Sequence, residues 1–432
     1  MKILMCHNYY QQPGGEDRVF AEEVRLLEEN GHDVQTFTVH NDAIRDRSRL
    51  AVAVETLWNR RVARKLRTRV EHDRFDLVHF HNTFPLISPA AYYAVRSRGI
   101  PVVQTLHNYR LLCPNALFMR NGAVCEDCLG KRLSWPGVLH GCYKGSRSGT
   151  AVLTAMQGLH RGMGTWNRAV TMYIALSEFS RGKFIAGGIP AERICVKPNF
   201  VSPVPELGKE HGNYAIFVGR LSIEKGLDTL LAAWKRLPGA RPLKIVGDGP
   251  LAPLVKQAAA EDPRIEWCGS RGQEEVFSLI GDAAFLVLPS ACYENCPRTI
   301  LEAYAKGTPV VASRLGAMAE FVIDGRTGVH FTSGDAADLA AKIERLWQNP
   351  ADLAEMRSAA RSEFEQKYTA EQNIGQLEAI YADALSATKL SSTLTPPDTD
   401  PLLDSSMPDA ALPDNRNPSP QTPVLAGYHD EL

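Results

Sequence analysis

The feature that most constrains the fold of this chain is an alternation of short apolar segments with helical patterns, which occurs twice along the sequence. In the first half the apolar segments are residues 2–6, 34–39, 76–81, 101–106, 173–176 and 194–199. In the second half they are residues 214–218, 243–246, 265–268, 284–288, 309–312 and 328–331. Short strands that alternate with helices form β-α-β units, in which helices cover both faces of a parallel sheet. The sequence therefore predicts an α/β protein with two doubly wound parallel sheets.

Changes in composition divide the chain into segments. The expected segments are a first domain at 1–200 with an insertion at 108–149, a linker at 201–213, a second domain at 214–368 and a last helix at 369–387. The insertion is rich in Cys, Gly and Arg, and the linker is polar and contains proline. Residues 388–432 are rich in Pro, Ser, Asp and Thr, a composition typical of disorder.

Composition also limits the class of protein. The formal net charge of -1 over 432 residues argues against a protein that binds nucleic acid over its whole surface. No apolar run reaches the roughly 18 residues that a membrane-spanning helix needs. Residues 1–7 are too short an apolar run for a signal peptide, so we expect nine reduced cysteines and a cytoplasmic location.

The stretch that carries most of the chemistry follows the apolar segment 284–288. Glu294 comes after the predicted strand, and Glu302 lies about two turns into the following helix, so both carboxylates can face one side. Free amide groups at the start of a helix attract phosphate, and a carboxylate farther along can accept both hydroxyls of a ribose. The pattern indicates a bound nucleotide, although two glutamates at this spacing are also typical of an ordinary surface helix.

Two further loops follow strands of the second half, where α/β sheets bind ligands. Arg220 offers a planar guanidinium for a diphosphate, and Lys225 adds a mobile positive charge. Gly247 ends the next strand, where glycine permits a close approach of the backbone. Taken alone, the basic residues fit a solvated surface equally well, and the glycine fits an ordinary tight turn.

Together and in this order, these motifs resemble the donor half of retaining glycosyltransferases of family 4, which have the GT-B fold. The motifs are Arg220 with Lys225, Gly247, and Glu294 with Glu302 followed by the run EAYAKGTPVVA at 302–312. The resemblance extends to about residue 385. It implies two Rossmann-like domains that face each other across a cleft, with the helix at 369–387 crossing back to the first domain.

The resemblance also implies roles for residues of the second domain. Arg220 and Lys225 would neutralise the donor diphosphate, Glu302 would bind the ribose hydroxyls, and Glu294 would contact the transferred sugar. The backbone amides of Asn295, Cys296 and Pro297 would contact sugar or phosphate. Cys296 departs from the family pattern, which often has glycine there, and this puts the contact to a particular sugar hydroxyl in doubt.

In the first domain, the resemblance places the loop at 13–15, and with it Gly15, near the donor phosphate. His107 ends a predicted strand, at the family's usual place for a histidine that faces the transferred sugar. On spacing alone, a histidine at a strand end is more typical of a structural role. His7, His79 and His81 are also on or beside strands, and we interpret them as structural.

The implied activity is transfer of a hexose-type sugar from a nucleotide-diphosphate sugar to a glycan or lipid-linked acceptor, with retention of configuration and without a metal or other cofactor in catalysis. The implied setting is synthesis of a surface polysaccharide at the inner face of a membrane. Two alternatives are a non-catalytic nucleotide-sugar binding subunit and a GT-B epimerase or phosphorylase. No G-x-G-x-x-G motif is present, which argues against a dinucleotide-dependent oxidoreductase.

Four cysteines cluster in the insertion, at Cys113, Cys125, Cys128 and Cys142, with the spacing C-x11-C-x2-C-x13-C. Four thiols in a loop-rich segment suit a structural zinc site with tetrahedral geometry and no open position for catalysis. The spacing is not that of a named zinc finger. Unliganded thiols, disulfides and an iron–sulfur cluster remain as alternatives.

A basic amphipathic pattern covers residues 58–70, at the end of a helical stretch predicted from about residue 43. Its six Lys and Arg residues accompany apolar residues at 58, 62, 66 and 70. This pattern suits peripheral docking on an anionic membrane. It suits equally well a helix whose apolar side lies on the sheet.

Overall fold

The computed structural model describes residues 1–12, 14–208 and 212–392. Part of the predicted linker and nearly all of the predicted disordered tail therefore lie outside the described residues. The described chain forms two α/β domains, and each contains a six-stranded sheet in which every strand pair is parallel. The predicted fold class is confirmed.

The first domain has the strand order β2-β1-β3-β4-β7-β8, and β5 and β6 form a small antiparallel pair in the insertion. Its strands are β1 Lys2–Tyr9, β2 Asp33–His40, β3 Leu77–Asn82, β4 Val102–Thr105, β5 Met119–Arg120, β6 Ala123–Val124, β7 Met172–Ala175 and β8 Ile194–Val196. Its helices are α1 Gly15–Glu29, α2 Arg49–Leu57, α3 Arg60–Asp73, α4 Ala90–Arg96, α5 Trp135–His140, α6 Arg147–Gly162, α7 Thr165–Arg168 and α8 Glu178–Ala186.

The second domain has the strand order β11-β10-β9-β12-β13-β14. Its strands are β9 Ala215–Val218, β10 Leu243–Val246, β11 Ile265–Gly269, β12 Phe285–Leu288, β13 Val310–Ser313 and β14 Gly328–Phe331. The remaining helices are α9 Leu227–Trp234, α10 Ala252–Glu261, α11 Gln273–Gly281, α12 Arg298–Ala305, α13 Met318–Phe321, α14 Ala336–Gln348, α15 Pro350–Lys367 and α16 Ala370–Ser392.

The strand orders determine where a ligand can bind. Strand β1 lies between β2 and β3, and β9 lies between β10 and β12, so the direction of winding reverses beside these strands. In such sheets ligands bind at the carboxyl ends of the strands near the point of reversal. The loops that follow β1, β4, β9 and β12 carry Gly15, His107, Arg220 and Glu294.

The last helix, α16, returns to the first domain. Its buried residues Leu377, Ile380 and Tyr381 pack against Ile3 and Met5 of β1. Burying a large apolar side chain stabilises a fold by roughly 1.5–3 kcal/mol, so this contact fixes α16 to the first sheet. The helix continues to Ser392, and the first residues of the predicted disordered tail are therefore helical.

The predicted single helix from about residue 43 to 70 is wrong, because the chain forms a short 3-10 turn and two helices there. Trp58, between α2 and α3, has an extended backbone with φ -158° and ψ 95°. Asn59 caps α3, since its side chain accepts a hydrogen bond from Val62 N at 3.1 Å. Its own N–H donates to Ser88 Oγ at 2.8 Å. The cap and this tertiary contact end α2 despite continuous helical periodicity.

Candidate functional site

Two loops from different domains meet between the sheets. The side-chain amide of Asn295, in the loop before α12, donates a hydrogen bond to the backbone carbonyl of Leu106, just after β4. Glu294 and His107 are the sequence neighbours of these two residues. The contact therefore joins the two loops that carry the residues predicted to act on the transferred sugar.

Glu294 is held by two side chains of the second domain. Ser290 Oγ donates to Glu294 Oε1 at 2.7 Å, and Lys225 Nζ donates to the same oxygen at 2.6 Å. Burial alone would lower the pKa of Lys225, but the Glu294 carboxylate outweighs this effect and the pKa is raised. Lys225 is therefore a cation at neutral pH. Both hydrogen bonds go to Glu294 Oε1, and Oε2 takes part in neither of them.

Glycines allow the loops of this site to approach one another closely. Gly247 has a φ of +134°, and a Cβ there would lie 1.9 Å from the carbonyl oxygen of Gly219. Gly226 has a φ of +70°, and a Cβ there would lie 1.9 Å from the carbonyl oxygen of Pro289. Gly247 thus supports the loop of the neighbouring Arg220. Arg220 is exposed, and within the part of the chain that the structure describes it forms no ion pair.

Glu302 lies on α12 with only 6% of its surface exposed. The nearest cations are Arg298 Nε and Arg18 Nη1, each 3.7 Å from Glu302 Oε1. Both distances are longer than a hydrogen bond. The two arginines therefore attract the Glu302 carboxylate but donate no hydrogen bond to it. A buried carboxylate in this state suits the two hydroxyls of a ribose.

The predicted set of backbone amides needs a correction. Pro297, the residue that caps the start of α12, has no backbone N–H, so it cannot donate to a phosphate. The first two amides of α12, those of Arg298 and Thr299, have no partner within the helix and form no other backbone hydrogen bond among the described residues. Cys296 packs against the apolar core of the second domain, and burial raises the pKa of its thiol to about 12. Its side chain is therefore a packing group.

The first-domain side of the site is a chain of buried polar side chains behind His107. His107 Nε2 lies 2.9 Å from His81 Nδ1, and His81 Nε2 lies 3.4 Å from Glu23 Oε1. The other oxygen of Glu23 accepts a hydrogen bond from Lys197 Nζ at 3.1 Å. The sequence analysis interpreted His81 as structural and did not name Glu23 or Lys197. The alternation of His79 and His81 on one strand was the signal that could have found them.

The electrostatics of this chain keep His107 neutral. Burial lowers the pKa of His107 well below its usual value, and the neighbouring His81 and His7 add to the effect. Burial alone would raise the pKa of Glu23, but Lys197 and the histidines outweigh it and hold the pKa well below its usual value. A neutral imidazole can both donate and accept a hydrogen bond.

Three or more His, Cys, Asp or Glu side chains whose oxygen, nitrogen or sulfur atoms lie close together can hold a metal ion. Among the described residues, Glu23, His79 and His81 are the one such group, with these atoms within 4.8 Å of one another. His79 Nδ1 lies 2.8 Å from the Tyr381 hydroxyl, and His79 Nε2 lies 2.8 Å from Thr105 Oγ1. Both nitrogens of His79 are therefore engaged by protein groups. This cluster supports the strand behind His107.

The glycine-rich loop after β1 lies against α12. The Gly14 N–H donates to Asp17 Oδ2 at 2.7 Å, and Asp17 Oδ1 lies 2.7 Å from His7 Nε2. A Cβ at Gly15 would lie 3.8 Å from Arg298 Cδ, which places this loop beside the helix end of the donor side. Pro13 lies outside the described residues.

Glu16, in the first turn of α1, was also missed by the sequence analysis. Burial raises the pKa of its carboxyl group to about 7, although a hydrogen bond with Tyr10 opposes this shift. Asn108, next to His107, lies within 3.4 Å of Glu16 Oε1. An acid that titrates near neutral pH therefore lies on the first-domain side of the cleft.

The four cysteines of the insertion line one small cavity, together with Asn115, Arg120 and Asp127. Within the described chain, no three of their sulfur atoms lie within 4.8 Å of one another. Binding of a metal by three or more of these thiols would therefore require their sulfur atoms to move closer together. The structural zinc site stays a prediction.

The two halves of the chain match two families of glycosyltransferase domain. Residues 14–199 match the family described as a glycosyl transferase 4-like domain, and residues 212–349 match the family described as glycosyl transferases group 1. The chain belongs to the group 1 glycosyltransferases. The family that the motifs resembled is confirmed.

Curated relatives of this glycosyltransferase match over part of their length. The glycogen synthase of Mycobacterium tuberculosis is 37% identical over 152 residues, which are 34% of this chain and 36% of the relative. The amylovoran biosynthesis glycosyltransferase AmsK of Erwinia amylovora is 31% identical over 214 residues, which are 46% of this chain and 52% of the relative. The glycosyltransferase thus spans about a third to a half of the length of these relatives.

A solved structure with a similar fold is Anabaena Alr3699/HepE in complex with UDP and glucose. Its TM-score is 0.64 at 20% identity, and the match covers 88% of this glycosyltransferase and 100% of that chain. At this identity the likeness concerns the fold alone, and it confirms the predicted GT-B architecture.

Proposed function

We propose that this group 1 glycosyltransferase transfers a hexose from a nucleotide-diphosphate sugar to a glycan or lipid-linked acceptor, with retention of the anomeric configuration. The observation that carries the proposal is the hydrogen bond between Asn295 and Leu106. It joins the loop of Glu294, whose carboxylate pairs with Lys225, to the loop of His107, which lines a cavity of the first domain. A nucleotide sugar bound between these residues would expose its anomeric carbon to an acceptor.

The second domain offers a group for each part of such a donor. Arg220 and Lys225 are cations suited to the diphosphate, as are the free amides at the start of α12. Glu302, farther along α12, suits the ribose hydroxyls. The structural neighbour described as a complex with UDP and glucose supports a nucleotide-sugar donor.

The proposed reaction breaks the bond between the hexose C1 and the diphosphate oxygen and forms a bond from C1 to the acceptor oxygen. The electron pair of the broken bond moves to the diphosphate, where Arg220, Lys225 and the α12 amides stabilise the growing charge. The departing phosphate oxygen takes the proton of the acceptor hydroxyl on the same face of the sugar. Retention then needs no covalent nucleophile, and none of these steps requires a metal or another cofactor.

Glu294 and His107 would orient the transferred sugar. The carboxylate of Glu294 accepts hydrogen bonds from hydroxyl groups, and the neutral His107 can donate or accept one. Correct orientation is worth several kcal/mol because it replaces a random encounter with a fixed geometry. Their assignment as catalytic residues is part of this proposal.

A cavity on the first-domain side of His107 suits the acceptor. Its lining includes Thr83, Phe84, His107 and Arg110. An aromatic ring beside polar groups is a suitable surface for a sugar. The relative named for amylovoran biosynthesis supports a polysaccharide product, and we place the reaction at the cytoplasmic face of a membrane.

The test is product formation from UDP-, GDP- and ADP-hexoses with a lipid extract that contains polyprenyl-linked saccharides. We expect transfer with one nucleotide class, detected by mass spectrometry, and an α-linked product from an α-linked donor by NMR. Glu294→Gln should lower turnover at least about 100-fold, the scale of losing a group that acts in the transition state. The exposed Glu266→Gln on β11 is the matched control.

The alternatives give different results in the same experiment. Conversion of the donor without any acceptor would indicate an epimerase, and release of a sugar phosphate with inorganic phosphate would indicate a phosphorylase. Nucleotide binding without turnover in any mixture would indicate a non-catalytic binding subunit. Any of these three results overturns the proposed function.

A further inference from the structure

Six of the ten exposed large apolar side chains of the described residues lie in one region of the first domain. They are Leu50, Val54, Leu133, Trp135, Leu139 and Leu159. The most exposed is Leu50 at 77%, and Trp135 is 59% exposed. Exposed apolar residues scattered singly need no explanation, but a concentration of this kind marks a surface that binds something.

These six residues belong to adjoining elements. Helix α6 packs against both α2 and α5. His160 of α6 lies 2.9 Å from the carbonyl oxygen of Leu57 at the end of α2. On the other side, Leu133 covers Gly158 of α6, because a Cβ at that glycine would lie 2.3 Å from Leu133 Cδ2. We call the surface formed by residues 49–57, 131–140 and 147–162 the α2-α5-α6 face.

Small residues extend this surface along α6. Ala151, Ala155 and Leu159 recur every four residues and are all exposed. This spacing puts them in one row on α6, the helix that packs against α2 and α5. Trp135 and Leu139 are four residues apart on α5 and form a second exposed row.

The charge of this region is one-sided. The α2-α5-α6 face contains five Lys and Arg residues and one acidic residue, Glu55, which pairs with Arg47, whereas the whole chain has a net charge of -1. Lys131, Arg132, Lys144 and Arg147 are all exposed. Exposed Trp and Leu side chains enter the interface of a bilayer, and basic residues beside them bind anionic lipid headgroups.

The basic helix that the sequence analysis singled out plays a different part. In α3, Ala63, Leu66 and Val70 are buried, and the helix packs against α4. Arg69 Nε also lies 2.7 Å from Asp73 Oδ2 on the same helix. The apolar residues of α3 are therefore core residues, and contact through residues 58–70 could use only its charges.

We propose that the α2-α5-α6 face docks the protein on an anionic membrane surface, with Trp135 and Leu139 entering the interface. Among the helices that the structure describes, none is long and apolar enough to cross a bilayer, so this contact would be peripheral. The proposal does not rest on the transfer reaction, because binding to a vesicle needs neither donor nor acceptor.

The test is co-sedimentation of the full chain with vesicles of phosphatidylcholine alone or with an equal amount of phosphatidylglycerol. We expect binding to the anionic vesicles only, weakened at high salt. The variants Trp135→Ser with Leu139→Ser, and Lys131→Glu with Arg132→Glu, should each reduce binding at least about tenfold, since a basic residue near the surface contributes about fivefold. Unchanged melting temperatures establish that the variants are folded.

Two control pairs match the test variants. Val204→Ser with Leu207→Ser removes exposed apolar residues elsewhere, and Lys235→Glu with Arg236→Glu reverses exposed charges of the second domain. Both should bind the vesicles like the wild type. The proposal is overturned if the wild type does not bind anionic vesicles, or if neither test pair reduces binding. It is also overturned if the wild type forms a dimer that Trp135→Ser with Leu139→Ser abolishes, because the face would then join two copies of the chain.

Discussion

Arg298 at the start of α12 forms a two-point ion pair with Glu22 of α1, with Nη1 2.6 Å from Oε2 and Nη2 3.0 Å from Oε1. The pair joins the two domains, and both side chains are largely buried, with 10% and 15% of their surfaces exposed. It lies at the helix end where the donor phosphates are proposed to bind. The Glu22 carboxylate therefore places a negative charge beside the proposed phosphate site.

We predict two opposite effects of Glu22→Gln. The free energy of unfolding should fall by about 1–3 kcal/mol, because Arg298 loses the partner of a largely buried ion pair. Nucleoside diphosphates should bind about threefold to tenfold more tightly, because an anion is removed from the phosphate site. Denaturation and calorimetric titration measure the two quantities. Glu29→Gln, on the exposed side of the same helix, should change neither, and weaker nucleotide binding in Glu22→Gln would contradict the expected repulsion between Glu22 and the phosphates.

His81 should act as a positioning residue for His107, whose Nε2 lies 2.9 Å from His81 Nδ1. We expect His81→Gln to lower kcat about tenfold while the KM for the donor stays within twofold, since a misoriented imidazole affects the reaction more than binding. Steady-state kinetics give both constants. The exposed His140→Gln is the control. A rise in KM that accounts for the whole loss would mean that His81 supports the fold of the donor site instead.

The carboxyl group of Glu16 predicts a pH dependence of stability. Its pKa is raised from 4.5 to about 7 by burial, so the folded protein holds a proton there that the unfolded chain releases. Stability is therefore lost as the pH rises from 4.5 to about 7. Relative to Glu16→Gln, the wild type should lose about 1–3 kcal/mol over this range in urea denaturation. Parallel curves for the two proteins would refute the assignment, and the exposed Glu28→Gln should follow the wild type.

The four cysteines that line the cavity in the insertion predict one bound zinc ion per chain. Elemental analysis of protein purified without chelator should find it, and Cys125→Ser with Cys128→Ser should remove at least nine-tenths of it. Cys195→Ser, on β8, should keep the metal. A wild-type protein without zinc, or disulfides between these cysteines under non-reducing conditions, would contradict the prediction.

The fold could be predicted because a buried parallel strand is recognised from a short run of consecutive apolar residues. Segments such as β7 and β12 are short apolar runs whose residues are all buried, and each lies where the alternation predicted it. The break between α2 and α3 could not be predicted. It depends on the contact between Asn59 and Ser88, which are distant in sequence.

The site could be predicted in part for the same reason. Glu294, Glu302 and Lys225 belong to short motifs, whereas Glu22, Glu23 and Lys197 act through partners far along the chain or in the other domain. Lys197 and Glu23 are 174 residues apart, and a sequence pattern carries no signal for such a pair. Gly247 shows a further limit of prediction from sequence. A glycine is required there by the close carbonyl oxygen of Gly219, so its presence alone does not indicate a ligand.

The central claim is that the second domain binds a nucleotide by its ribose at Glu302 and by its phosphates at the neighbouring loops. The most direct test is thermal unfolding of the wild type and Glu302→Ala with UDP, GDP, ADP and their common sugar conjugates. A ligand that binds only the folded state raises its melting temperature. We predict a clear shift of the wild type with one nucleotide class and loss of that shift in Glu302→Ala. No shift with any nucleotide, or an equal shift in both proteins, would contradict the account.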